Sequence, residues 1–427
     1  MASAVCRGAF SSGGYARRES SPHRPADNDR LVPTAPSADA PRRILLATPS
    51  VGRDGGVATH VYASAQALAR AGHAVDLATG AIDGRPPPGI GTVLVPGLGD
   101  PRPGPDSVRA LATACDERGV DVVHLHNVTP APFVTALRPS AAVVVSAHGY
   151  SCCTPETYYF SPGQECRRPH GPGCVANMLL RGCAHTKDPR GIPARYRDTS
   201  RRRRGLGQAD AVVGYSTAMV RHLERNGLPN VHHVRLFSEA PLDPSPLPSA
   251  PRLLFVGRVV AAKGLDVLLR AMTAVDAELD VHGDGWWLPE GRKLAQRLGV
   301  HGRVRFHGWS SPDALRAAYR EARAVVVPSL WPEPFGLVGL EAMSYGRPVV
   351  GSATGGIVDW LRDGETGLAV RPGDHEALAA ALATILRPDG NAERLAQAGV
   401  ELVGGHFSPD DHVADLRSVY AHARARM

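Results

Sequence analysis

PSLWPEPFGLVGLEAMSYGRPVV, from Pro328 to Val350, sets two carboxylates, Glu333 and Glu341, eight residues apart across the start of a predicted helix. Pro332 and Pro334 bar any regular helix or strand at the first glutamate, because proline lacks an N–H and restricts the residue before it. Phe335, Gly336 and Leu337 then open a helix whose free backbone N–H groups and dipole make an anion site. Glu341 follows about two turns later. A nucleoside diphosphate joined to a sugar offers both an anion for the helix start and hydroxyls for the carboxylates. Spacing alone also fits a buried turn leading into an amphipathic helix with two solvated glutamates.

A second stretch decides between these readings. LLFVGRVVAAKGLDVLLRAM, Leu253–Met272, carries two cations, Arg258 and Lys263, in the turn after an apolar strand. Together the two segments resemble the family 4 retaining glycosyltransferases, in which two glutamates separated by seven residues flank a Phe-Gly-Leu helix start and a phosphate clamp lies upstream. The resemblance runs from about Arg42 to the C-terminus.

At 427 residues, 43% of them apolar, the chain is long enough for two or three domains with large buried cores. Its formal charge is only +7, but between Arg167 and Arg204 eleven Arg or Lys face two Asp, a local excess of nine. Such a patch fits phosphate, an anionic lipid surface or nucleic acid, and equally a solvated helix face. No aromatic residue interleaves Arg201–Arg204, which argues against nucleic acid and leaves at most a peripheral membrane contact. No apolar run reaches the ~18 residues of a membrane span. Residues 1–41, rich in Ser, Pro, Arg and Gly and without an apolar leader core, are expected to form a disordered tail on a cytoplasmic protein. The Asp27-Asn28-Asp29 triplet in that tail has no supporting shell and is read as chance.

From Arg42 the pattern is α/β. RRILLATP reads as a central parallel strand feeding Gly55-Gly56, after which Val57, Val61, Ala65 and Leu68 recur at helical spacing. Strand, glycine turn, helix and strand make the doubly wound unit. The resemblance turns Gly55 and Gly56 toward the donor phosphates and acceptor. Strands at 121–127, 142–149 and 209–216 follow, and their carboxyl ends bring His126, His148 and Ser216 toward one cleft rim. His124 and His126 are read as structural; His148 matches the family histidine that looks toward the donor sugar.

Leu236–Arg252 is too rich in proline for a helix or central strand. The resulting organisation is a tail (1–41), an N-terminal acceptor-side Rossmann-like domain (42–238) with a Cys-rich insertion (150–204), a linker (239–251), a C-terminal nucleotide-sugar domain (252–407) and a crossover helix (408–427). The fold class is α/β, two Rossmann-like domains facing across a cleft (GT-B). Ser408 and Pro409 suit the N-cap and first turn of the last helix, which the resemblance packs back on the N-terminal domain.

The resemblance also implies the chemistry. Arg258 and Lys263 neutralise the diphosphate and the Gly336 and Leu337 amides complete the cradle, so that transfer needs no cofactor or added metal. Glu341 holds the ribose, Glu333 the sugar hydroxyls, and the loop around Trp309 lies near the base. Phe335 belongs to the same donor-binding helix start. Catalysis falls to Glu333, His148, Arg258 and Lys263, with front-side displacement and the departing phosphate taking the acceptor's proton. UDP is the first expectation for the nucleotide and GDP the second; the acceptor is left open. A noncatalytic binding protein, a phosphorylase or an epimerase on the same scaffold is the alternative.

The chain departs from the family pattern in its cysteines, five of seven of which lie between Cys152 and Cys183. Cys153, Cys166, Cys174 and Cys183 are a candidate structural zinc set, with His170 or His185 as a substitute ligand. No CxxC pair is present, and unligated thiols or disulfides stand behind zinc as the alternative readings.

Overall fold

The computed structural model describes residues 42–52, 56–83, 86–100, 102–128, 130–152, 159–161, 164–166, 168–180 and 189–427. Its N-terminal half begins with β1 (Arg43–Gly52), α1 (Gly56–Arg70), β2 (Ala74–Asp83), β3 (Gly91–Leu94), α2 (Pro105–Arg118), β4 (Val122–His126), α3 (Pro130–Leu137) and β5 (Ala142–Ala147). There follow a short antiparallel hairpin, β6 (Tyr159–Ser161) and β7 (Gln164–Glu165), and then α4 (Pro172–Leu180), α5 (Ile192–Gln208), β8 (Ala211–Gly214), α6 (Thr217–Arg225) and β9 (Val231–His233). The main strands pair in the order β3-β2-β1-β4-β5-β8-β9, all parallel. Every residue of β4, β5 and β8 is buried, as helices on both faces of a parallel sheet require.

The C-terminal half repeats the plan with β10 (Arg252–Val256), α7 (Leu265–Ala271), β11 (Glu278–His282), α8 (Leu288–Arg297), β12 (Val304–Gly308), α9 (Pro312–Glu321), β13 (Ala324–Val327), α10 (Leu337–Ser344), β14 (Val349–Ser352), β15 (Gly367–Val370), α11 (His375–Ile385) and α12 (Asn391–His406). Its parallel sheet runs β12-β11-β10-β13-β14-β15. Strands β3, β9 and β15, absent from the sequence reading, all lie at sheet edges. Each is three or four residues long and mostly half-exposed, so none carries the continuous apolar run that marks the central strands.

Between β9 and β10 the chain forms no helix or strand. The last helix, α13 (Pro409–Arg424), starts with a capping box in which Ser408 and Asp411 satisfy each other's backbone N–H. It crosses back to the first sheet: Tyr420 Oη lies 2.8 Å from His124 Nδ1, His412 Nε2 3.1 Å from Ser64 Oγ, and Arg424 3.0 Å from Asp121. Arg235 forks onto Asp415 at 2.8 Å and reaches Asp411 at 3.0 Å. A half-buried bidentate pair of this kind holds better than the ~0–1 kcal/mol of an exposed ion pair. One apolar cluster fills a face of each sheet; a third runs between the halves, joining Leu46, Tyr215, Phe335, Met343 and Leu416.

Candidate active site

The site is assembled from loops at the carboxyl ends of neighbouring strands. Strand β10 pairs with β13, and the loops that leave them are stitched together: Leu330 donates its N–H to the Ala262 carbonyl at 2.9 Å. Gly264, at φ +70, lies so close to Pro328 that a Cβ would fall 1.9 Å from its carbonyl oxygen. Only glycine combines that left-handed conformation with that approach. Lys263 is thereby delivered to Glu333, 70 residues away in sequence, with Nζ 2.7 Å from Oε1. Ser329 donates to the same oxygen at 2.6 Å. Glu333 is 4% exposed, and a carboxylate so deeply placed needs both partners to offset its desolvation.

Gly336 caps α10 in the left-handed conformation at φ 89, leaving the first-turn amides to face outward from the helix end. Phe335 does not offer its ring to this site. The ring is buried against Phe407 at 5.7 Å and its carbonyl accepts from Trp360 Nε1 at 2.8 Å. The buried ring anchors the helix start in the core, because the apolar gain of burying a phenyl ring outweighs an exposed placement, and any share of Phe335 in the expected donor site falls to its backbone. Glu341, about one turn into α10, accepts from Tyr319 Oη at 2.7 Å, and Tyr319 stacks on Tyr345 with centroids 5.2 Å apart. Burial pushes the Glu341 carboxyl above its usual range, while the Tyr319 hydrogen bond works in the opposite direction.

Arg258 is exposed; its carbonyl accepts from Val260 N at 3.0 Å, and its guanidinium makes no hydrogen bond or ion pair among the described residues. Trp309 is 75% exposed at the end of β12. The loop that carries it is tied to β11 by Ser310 Oγ, 2.8 Å from His282 Nδ1. Gly56 opens α1 and is exposed, whereas Gly55 lies outside the described residues.

His148 follows β5 half-buried, with Nε2 3.0 Å from His126 Nδ1. His60 and Tyr215 pack their rings at 5.8 and 5.0 Å from it. Burial drives its pKa down to about 3, which favours a neutral imidazole with hydrogen bonds rather than charge to offer. His124 bridges Tyr420 and, at 2.7 Å, Ser146, whose hydroxyl meets Tyr215 at 2.7 Å. That network matches the structural reading of His124 and His126. Of the three residues expected at the cleft rim, His126 and Ser216 are instead buried at 1% and 0% exposure, and Ser216 is occupied as the N-cap of α6. His126 is the last residue of β4, inside the sheet, and Ser216, two residues past β8, is taken up by the start of α6; only His148, just past β5, is half-exposed.

Cys152 is buried in the N-terminal core, and Cys166 and Cys174 are half-buried free thiols. Cys153 and Cys183, the other half of the candidate zinc set, lie outside the described residues, as do His185 and residues 1–41 with their Asp27-Asn28-Asp29 triplet. Among the described residues no three His, Cys, Asp or Glu side chains are grouped to hold a metal ion. His170 is engaged elsewhere: Nε2 lies 2.8 Å from Ser200 Oγ and the ring packs 4.5 Å from Tyr196. The basic run lies on α5, where Arg203 bonds the Asn226 carbonyl at 2.7 Å and Arg201 pairs with Asp198 at 3.2 Å.

Ser329, Tyr319 and Tyr150 were missed by sequence reasoning. Ser329 stands four residues before Glu333 and that spacing was a usable signal; Tyr319 reaches Glu341 from another helix and left none. Tyr150 reaches the Glu333 carbonyl from the opposite half at 3.5 Å, a contact equally without a local signature.

Residues 54–237 match the family model described as Glycosyltransferase Family 4, and residues 244–401 match that of Glycosyl transferases group 1. The chain is 37% identical over 185 residues to the D-inositol 3-phosphate glycosyltransferase of Salinispora tropica, a match covering 40% of this chain and 38% of that one. It spans less than half the length of the curated relatives it matches. Sucrose-phosphate synthase from Thermosynechococcus elongatus superposes with TM-score 0.69 at 24% identity, over 90% of this chain and all of that one. Anabaena HepE in complex with UDP-glucose superposes with TM-score 0.64 at 18% identity, over 88% of this chain and 98% of that one. At such identities the likeness is one of fold.

Proposed function

Because the chain belongs to the family 4 glycosyltransferases, we propose that it moves a sugar from a nucleoside-diphosphate sugar to a hydroxyl acceptor, with retention at the anomeric carbon and without a metal ion. The observation that carries this reading is the contact of Lys263 with Glu333 at 2.7 Å, which joins the cation loop and the glutamate loop at one point. An incoming diphosphate gives Lys263 a second anion to serve, beside Arg258 and the first-turn amides of α10. Glu341 takes the ribose hydroxyls, with Tyr319 fixing its orientation, and Glu333 takes hydroxyls of the transferred sugar. His148, neutral, donates or accepts a hydrogen bond at the sugar.

In the transfer the bond between the anomeric carbon and the phosphate oxygen breaks while the acceptor oxygen bonds on the same face. The departing phosphate oxygen takes the acceptor's proton, so no separate base is needed. Charge developing on the diphosphate is met by cations and amides already in place, which is where such a site gains its rate. UDP is the favoured nucleotide, supported by the UDP-glucose complex of HepE, with GDP second. The inositol phosphate acceptor named for the Salinispora relative puts phosphorylated polyols first among acceptors to try.

The test is to incubate the full chain with UDP- and GDP-sugars and a panel of polyol, polyol-phosphate and glycolipid acceptors. Nucleotide release is followed, and the product anomer is assigned by proton NMR. Release coupled to a retained-anomer product supports the reading; binding without transfer to any acceptor favours a noncatalytic protein, and an inverted product rejects the front-side route.

A further inference from the structure

Thr217, the first residue of α6 in the N-terminal half, donates its backbone N–H to Asp359 Oδ2 at 2.7 Å and its hydroxyl to Oδ1 of the same carboxylate. Asp359 belongs to the other half, at the end of a 3-10 turn spanning Gly355–Asp359. Helix α6 already has a cap of its own, since Ser216 Oγ accepts from Met219 N at 3.2 Å. A helix start presents several free N–H groups and a partial positive charge, and the carboxylate takes the N–H that Ser216 does not reach.

The same turn lies against the donor-site backbone. Gly356 donates its N–H to the Glu333 carbonyl at 2.7 Å. A Cβ on Gly355, at φ +59, would fall 2.3 Å from that carbonyl oxygen; a Cβ on Gly356 would fall 2.4 Å from the Pro334 carbonyl and 2.8 Å from Ser216 Cβ. The start of α6, the glycine pair and the Glu333 backbone are thus in direct contact in that order. Any side chain on the pair would push the layers apart, and Asp359 clamps them from three residues away.

We propose that Asp359 is a positioning residue for glycosyl transfer, capping α6 from across the two halves so that the Gly355-Gly356 pair stays seated between Ser216 and the Glu333 loop. This rests on the role given to Glu333 above. The cap couples two events: when the halves are together, α6 gains a charged cap and Glu333 is held in register; when they part, both are lost. Donor binding is contributed mainly by Arg258, Lys263 and Glu341, so the cap acts on turnover rather than on nucleotide affinity.

The experiment compares full-length wild type with Asp359→Ala, Asp359→Asn and Thr217→Val. Small-angle scattering and hydrogen exchange are measured without ligand, UDP affinity by calorimetry, and turnover as UDP release from UDP-glucose with the acceptor panel above, the glucosyl group passing to an acceptor hydroxyl. Asp359→Ala is expected to enlarge the scattering radius, to speed exchange locally at 217–219 and 355–359, and to lower turnover by about tenfold through misplacement of the reacting groups. UDP affinity should stay within about threefold, as expected where an interaction serves the transition state alone. Asp359→Asn, which keeps hydrogen-bonding capacity, should recover part of the loss. Thr217→Val should fall between, and should add nothing to Asp359→Ala because both break one contact. Unchanged scattering and local exchange would overturn the proposal, as would faster exchange spread over the whole chain with turnover and UDP affinity falling together. A wild type that does not turn over UDP-glucose counts against the donor reading, while scattering and exchange still decide the cap.

Discussion

Lys263 Nζ sits 2.7 Å from Glu333 Oε1, and the glutamate is almost fully buried. A cation expected to serve phosphate is therefore held by the carboxylate expected to serve the sugar. Each residue keeps the other in place, and an arriving donor has to redistribute the pair.

Removing either partner should cost more than removing both. Lys263→Ala strands a buried carboxylate, and a broken buried pair costs ~3–5 kcal/mol of stability. Turnover should fall on the order of 100-fold for Lys263→Ala and for Arg258→Ala, as for loss of a charge-stabilising donor. In a double-mutant cycle with Glu333→Gln, denaturant midpoints should be strongly non-additive. Additive midpoints, or activity surviving the loss of both Arg258 and Lys263, would contradict the clamp.

The two glutamates should separate in their kinetics. Glu341→Ala should weaken nucleotide-sugar binding, because ribose contacts serve ground and transition states alike; Glu333→Ala should mainly lower turnover. Tyr319→Phe removes only the 2.7 Å bond to Glu341 and should weaken UDP binding by several-fold, in keeping with ~1 kcal/mol for one hydrogen bond. Calorimetry showing all three variants equal to wild type would misplace the donor.

Acid should destabilise the fold through its buried histidines. Burial lowers the pKa of His60, His124 and His126, of His148 to about 3 and of His412 to about 4, with Arg235 and Asp415 also acting on His412. The unfolded chain, with histidines near ~6.5, then binds more protons than the native one, so stability falls as pH drops from ~6.5 toward 4 and below. Urea midpoints should be flat above pH 7 and fall steadily below 6.5. His412→Asn should flatten that slope by ~1.4 kcal/mol per pH unit where His412 titrates. Equal midpoints at pH 7 and 4.5 would show that these imidazoles are not buried neutral.

Transfer should survive removal of divalent metal. Arg258, Lys263 and the α10 amides supply the positive potential at the diphosphate, so EDTA should leave the rate intact and magnesium should not raise it. Elemental analysis decides the Cys-rich insertion separately: about one zinc per chain, lost with Cys166→Ser and Cys174→Ser, is the outcome if four thiolates close on a metal. Zinc-free protein with rapidly titrating thiols would leave Cys166 and Cys174 as the free thiols they are in the fold.

The two-sheet architecture was legible in sequence because parallel strands covered on both faces must be apolar runs, as in AVVVSA and AVVV, and the helices between them must repeat at 3.6 residues. The proline pair around Glu333, the Gly336 helix start and the Ser408 cap are likewise local, written into neighbouring residues. Tertiary structure alone decided what each functional side chain touches. Lys263 meets Glu333 because two loops are stitched at Gly264 and Pro328; Glu341 is held by a tyrosine on another helix; Asp359 finds its partner 142 residues away. Such pairings leave no period in the chain, since they depend on strand order and on how two sheets come together. The edge strands β3, β9 and β15 escaped notice for a related reason: with one neighbour and one wet side, they need little of the apolar continuity by which a central strand announces itself.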